Sequence, residues 1–157
     1  HIYGEGRLVL WSRKIDCSLS TMETLSSLEV KKIAIANPNH APYGKRAKES
    51  LQFYGQYEGI RSKLVLGENI SQTAQFLSTG AADIGIIALS LALSPTMKQY
   101  GKAYYLLPEN SHNPLLQGAI ITAFGKGNPD AASFFAFLKS EDAKEIFKTY
   151  GFNQAAK

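Results

Sequence analysis

Cysteine is nearly absent. Cys17 is the single one in 157 residues, which excludes an internal disulfide and any zinc site built on paired cysteines. Histidine is scarce too: His1, His40 and His112 fall in loop-like stretches with no metal-ligand spacing between them. No Gly-x-Ser-x-Gly elbow and no phosphate-binding P-loop occur, so two common enzyme classes lose their signatures. No apolar run approaches the roughly 20 residues of a membrane-spanning helix. Charge of one sign is never concentrated. Lysine and arginine total 17 against 13 acidic residues, a net charge of +4, yet only Arg13-Lys14, Lys31-Lys32 and Lys45-Arg46 are adjacent. With no zinc-finger spacing and no RNA-binding signature, nucleic acid is excluded as a partner. The excess reads as a solvated positive surface that mildly attracts anions.

Apolar residues make up 45% of the chain and charged residues 19%, the balance of a globular protein. A chain of this length buries one real core, as one domain or two small lobes. Two stretches organise it. Asn37-Pro38-Asn39-His40-Ala41-Pro42-Tyr43-Gly44 follows the apolar run Ile33–Ala36. Gly67-Glu68-Asn69-Ile70-Ser71-Gln72-Thr73 follows Leu64–Leu66. Each then opens a helical pattern, which is the strand–loop–helix order of an open α/β sheet. The first helix is predicted over 43–54, with Ala47, Leu51 and Tyr54 on one face, Pro42 at its start and Gly55 as its stop. The second is predicted over 69–79, with Asn69 as N-cap, Gln72 completing a capping box, and Gly80 ending it. The first amides of such helices have no internal partner and stand at the positive end of the helix dipole. Two such starts side by side suit a small anion without any lysine, histidine or cysteine.

Elsewhere, 7–11 reads as a short apolar strand, 82–89 as a buried strand, 103–107 as another and 118–124 as a return strand. Ser94-Pro95, Asn128-Pro129 and Ser140 read as caps of later helices, with Gly151 closing the last. Phe134, Phe135 and Phe137 sit at helical spacing and read as packing residues; a base-stacking platform would present aromatics on strands. His40, three residues before Tyr43, reads as a structural or solvent-facing loop histidine. Glu68 has no paired nucleophile and reads as a residue that orients its loop.

The segments Asn37-Pro38, His40–Gly44, Ala47-Lys48-Glu49, Lys63–Ile70, Gln72-Thr73-Ala74 and Ala82–Gly85 resemble the molybdate-binding proteins of bacterial ABC transporters. So do Arg7–Trp11 and Ile146–Phe152, and the order holds over nearly the whole chain. The resemblance implies an α/β, type II periplasmic-binding-protein fold, mostly its second lobe plus the carboxyl-terminal return helices. Residues 1–12 would be the crossover strand from a first lobe, 13–117 the second lobe, and 118–157 the return strand and last helices. It implies capture of molybdate or tungstate by neutral donors, with no cofactor, no side-chain metal ligand and no catalytic residue. The family's ligand positions fall on Tyr43 and Ile70, with Pro42, Gly44, Asn69 and Ala88 immediately behind them. Some members place a tyrosine hydroxyl where this chain has Ala88. The resemblance further implies a periplasmic location and delivery to a membrane permease. It also makes this chain look like the carboxyl-terminal portion of a longer protein. On that reading the last helices and the 7–11 strand should show apolar faces meant for another lobe, and self-association through them is expected.

Two other readings are carried beside this one. A binding protein for another oxyanion, sulfate above all, would use the same donors. A ligand-sensing effector domain of a transcription regulator would share the fold, and a DNA-binding segment upstream would decide for it.

Overall fold

Four apolar residues with no polar alternation predict a strand covered on both faces. In the computed structural model, which describes residues 1–101 and 103–154, Leu8–Trp11 form such a strand with no exposed surface. The strands in chain order are β1 (Ile2–Glu5), β2 (Leu8–Trp11), β3 (Ile33–Ala36), β4 (Leu64–Gly67), β5 (Ile84–Ala88), β6 (Tyr104–Leu106) and β7 (Leu116–Gly118). The helices are α1 (Pro42–Phe53), α2 (Tyr57–Ile60), α3 (Ile70–Ser78), α4 (Leu89–Ala92), α5 (Pro95–Lys98), α6 (Pro129–Phe137) and α7 (Glu141–Thr149), with short 3-10 turns between. Five strands form one sheet in the order β4-β3-β5-β2-β6, while β1 and β7 pair separately. β3 runs parallel to β4 and β5, and β2 runs antiparallel to β5 and β6.

Side chains on a strand alternate between faces, and here each face has its own core. Leu8, Leu10, Ile33, Ile35, Ile84 and Ile86 face one way and are covered by Ala47 and Leu51 of α1. Val9, Trp11, Ala34 and Ile87 face the other way, under Ala74 and Leu77 of α3. Gly85 lets this second face close: a Cβ there would collide with the Ala34 carbonyl.

Leu8–Trp11 lie inside the five-stranded sheet, bonded on both edges. Ile2–Glu5, just ahead of them, pair with Leu116–Gly118 in the separate two-stranded sheet, so residues 1–12 run from one sheet into the other. One expectation needs correction: 118–124 is not a strand. Regular pairing stops at Gly118, one further bond runs from the Ala119 N–H to the His1 carbonyl at 2.8 Å, and beyond it Ile120 and Phe124 stand 80% and 101% exposed. The 13–117 and 118–157 segments include Lys102 and residues 155–157, which lie outside the described residues.

The last helices have apolar faces turned to solvent. α6 buries no residue, and α7 buries only Ala143. Phe134, Phe137 and Ile146 are exposed. α7 is held through the stack of Tyr3 on Phe147, with centroids 4.8 Å apart, and through the bridge of Glu5 to Asn153. The 7–11 strand shows no such open face.

Candidate functional site

The site is assembled where β3 and β4 leave the sheet. Their last residues are in register, Ala36 opposite Gly67, and the Asn37 N–H extends the ladder by donating to the Gly67 carbonyl at 2.8 Å. The two loops therefore start side by side. β5 ends at the same edge with Ala88, across from Leu8 of β2.

In the first loop, Asn37 folds the chain back. Its side chain accepts from the Asn39 N–H at 3.0 Å, and its carbonyl accepts from His40 and Ala41. Ala41 is the N-cap and Pro42 the first helical residue, where a missing N–H costs nothing. Gly44 lets the first turn lie directly on the end of β3, since a Cβ would run into the Ala36 carbonyl. The first bond within the helix runs from Lys45 to Ala41. The Tyr43 and Gly44 amides have no partner among the described residues.

The second loop ends in an N-cap. Asn69 Oδ1 accepts from the Gln72 N–H at 2.9 Å, and the Asn69 carbonyl accepts from Thr73. The capping box is displaced by one residue from the sequence reading. The Gln72 side chain accepts from the Glu68 N–H at 2.7 Å, where a box closed on Asn69 was expected; the long glutamine reaches one residue further back. The Ile70 and Ser71 amides are left without partners among the described residues.

A contact that sequence reasoning missed ties the loops together. His40 Nε2 lies 2.9 Å from the Glu68 carbonyl and 3.3 Å from its carboxylate. No local spacing signals it, because the pair is brought together only by the in-register strand ends. Glu68 was expected to orient its loop and His40 to be a structural or solvent-facing loop histidine; the contact puts them against each other.

At both helix starts the side chains turn inward. Tyr43 packs against the first core cluster and Ile70 against the second. Burial, and secondarily the neighbouring Tyr3, push the Tyr43 phenol up from 10.0 to about 12. Its hydroxyl is thus no acid or base near neutral pH, and what Tyr43 offers at the helix start is its N–H. Ala88 is buried and offers no hydroxyl.

Other chemistry is thinly represented. Among the described residues no three His, Cys, Asp or Glu side chains gather as a metal site. Burial pushes the Cys17 thiol up to about 11, away from nucleophilic duty. No helix among the described residues is long and apolar enough to cross a membrane. A surface cleft of about 410 Å³ lies far along the chain, lined by residues between Ile121 and Ala132.

These strand ends and helix starts sit in a chain whose residues 1–153 match the model of the bacterial extracellular solute-binding proteins. The chain belongs to that family. Among its relatives, the molybdate-binding protein of Azotobacter vinelandii is 38% identical over 150 residues, 96% of this chain and 59% of the relative. The molybdate-binding protein of Rhodobacter capsulatus is 34% identical over 153 residues, 96% of this chain and 58% of the relative. The chain thus spans less than two thirds of the length of these curated relatives. A solved structure of an Azotobacter vinelandii periplasmic molybdate-binding protein superposes with a TM-score of 0.89 at 28% identity, over 99% of this chain and 68% of that one. The substrate-binding domain of a putative molybdenum ABC transporter from Clostridium difficile superposes with a TM-score of 0.72 at 26% identity, over 99% of this chain and 66% of that one. The architecture is accordingly the α/β periplasmic-binding-protein fold.

Proposed function

We propose that this solute-binding protein captures molybdate, and tungstate with it, for an ABC importer, holding the oxyanion at the starts of α1 and α3. The reading is carried by one observation: two unpartnered helix N-termini launched from adjacent, in-register strands. The names of its relatives support it. The donors would be the backbone N–H groups of Tyr43 and Ile70, with Gly44 and Asn69 shaping the turns that present them. Molybdate and tungstate are tetrahedral dianions without protons near neutral pH, so their site needs donors only. Phosphate also carries a proton and would welcome a carboxylate acceptor. Neither loop has an aspartate, and the Glu68 side chain stands exposed beside His40. The family setting points to the periplasm and to a membrane permease as recipient.

Titration calorimetry and amide NMR with molybdate, tungstate, sulfate and phosphate test the reading. Charge-assisted hydrogen bonds contribute about 1.5–3 kcal/mol each. The donors of these two loops leave one side of the anion in water, where the higher dielectric weakens every contact. Binding by this chain is therefore expected near millimolar strength, about −4 kcal/mol. The resonances of Tyr43, Gly44, Ile70 and Ser71 should move with molybdate and tungstate. Silence at these amides, or an equal response to phosphate, would sink the proposal. Ile70→Pro tests the donor itself, because proline fits the first helical position while removing the N–H. It should weaken binding by roughly 10- to 100-fold, and Ile70→Ala by far less.

A further inference from the structure

Gly6 stands between β1 and β2, where the chain passes from the two-stranded sheet to the five-stranded one. Its N–H donates to the Leu115 carbonyl at 2.8 Å, so this passage lies against the other one, just ahead of β7. The next residue anchors the same spot: Arg7 Nη1 lies 2.9 Å from Glu109 Oε1 and 3.3 Å from Asn153 Oδ1. The backbone of Gly6 is not in the left-handed region, so conformation does not demand a glycine. Space does. A Cβ at this position would collide with the Tyr43 hydroxyl and lie 3.1 Å from Tyr43 Cζ.

Tyr43 is thereby held at both ends. Its ring is trapped between Gly6 and the first core cluster. Its backbone lies in the first turn of α1, and the next residue, Gly44, is pressed onto the Ala36 carbonyl. We propose that Gly6 is a positioning residue for the Tyr43 amide. The contact between Gly6 and the Tyr43 ring sets where that N–H points, and so couples the junction of the two sheets to the anion loop. The inference rests on reading the Tyr43 N–H as an anion donor. A shift of the two-stranded sheet against the five-stranded one acts on this donor through the phenol, with no side chain in between.

The test is a double-substitution cycle with Gly6→Ala and Tyr43→Phe in the 157-residue chain, read by amide NMR first without ligand and then with sodium molybdate. Without ligand, Gly6→Ala should displace the Tyr43 and Gly44 resonances, and the displacement should shrink to less than half in the Tyr43→Phe background, where the colliding oxygen is gone. With molybdate, Gly6→Ala should weaken binding at least fivefold in the wild-type background and less than twofold in the Tyr43→Phe background. Gly4→Ala is the control. The nearest atoms to a Cβ there belong to Phe152, from 3.3 Å, and to the Asn153 carbonyl at 3.4 Å, so its resonance changes should centre on Phe152 and Asn153. Should Gly6→Ala not fold, Tyr43→Leu removes the ring from Gly6 and should displace the Gly44 amide in the same way. Equal effects of Gly6→Ala in both backgrounds, or undisturbed Tyr43 and Gly44 amides, overturn the coupling. Undisturbed amides on adding molybdate to the unsubstituted chain overturn the binding proposal instead, and the ligand-free spectra still decide the coupling.

Discussion

The five-stranded sheet and the pair α6–α7 are built from similar materials and end in opposite states. Both include helices capped by a side chain and rich in apolar residues, and α3 and α7 are each closed by a glycine with positive φ. α3 is capped by Asn69, and it buries Thr73, Ala74 and Leu77. α6 is capped by Asn128, and it buries nothing. The difference teaches that capping and periodicity specify a helix, whereas burial depends on what stands opposite. Hydrophobic stabilisation follows the area removed from water, so the two regions should answer the same perturbation differently.

The widest gap is expected from truncating large apolar side chains. Leu10→Ala or Ile35→Ala, both in the covered core, should cost about 2–5 kcal/mol in urea unfolding. Phe134→Ala, on the open face of α6, should stay within about 0.5 kcal/mol. A large loss for Phe134→Ala in dilute solution would mean that a second copy or another surface covers the face, which is the self-association expected from the sequence. A smaller effect is predicted at the helix-to-sheet contact. Gly44→Ala forces a Cβ against the Ala36 carbonyl and should cost about 1–3 kcal/mol. The same substitution at Gly125, in the turn before α6 with its nearest neighbour 3.5 Å away, should cost much less.

Caps sharpen the contrast further. Asn69→Ala should lower global stability by about 1 kcal/mol, because α3 unfolds with the sheet. Ser140→Ala removes a comparable bond to the Ala143 N–H. Its loss should surface chiefly as faster amide exchange in α7, with little change in the global midpoint. The smallest effect is expected from pH. The Tyr43 phenol is raised from 10.0 to about 12 by burial, so the folded state holds its proton more tightly than the unfolded one. The resulting stabilisation is fully present below about pH 10 and is lost as pH rises toward about 12. Unfolding midpoints measured across that window should fall in the native chain and fall less in Tyr43→Phe.

Local chemistry explains what was legible in the sequence. The caps at Asn69, Ser94, Asn128 and Ser140 each accept from a backbone N–H in the following turn, as their residue types indicate. The stops at Gly55, Gly80 and Gly151 all have positive φ. The positions of Tyr43 and Ile70 at two helix starts were readable from the same signals. What was not legible depends on residues far apart in the chain. The place of Leu8–Trp11 between two other strands was hidden because its partners, Ile84–Ala88 and Tyr104–Leu106, lie about 75 to 95 residues away. Ala119–Phe124 looked like a strand because its residues favour strands, and propensity says nothing of whether a partner exists. The tie of His40 to Glu68 and the seat of Tyr43 on Gly6 are products of topology, invisible to any local window.

The in-register exit of β3 and β4 has a consequence for how this surface is dissected and how it drifts. Recognition proposed to run through main-chain amides is largely blind to side-chain identity, so an alanine scan across both loops, Tyr43 and Gly44 apart, would return a nearly flat binding profile and conceal the site. Replacing single peptide groups with esters, at Tyr43 or Ile70, deletes one donor and leaves the shape intact. By the same logic, substitutions at these positions are filtered by packing and turn geometry alone. Relatives can therefore diverge in the letters of the two loops while keeping the same array of donors.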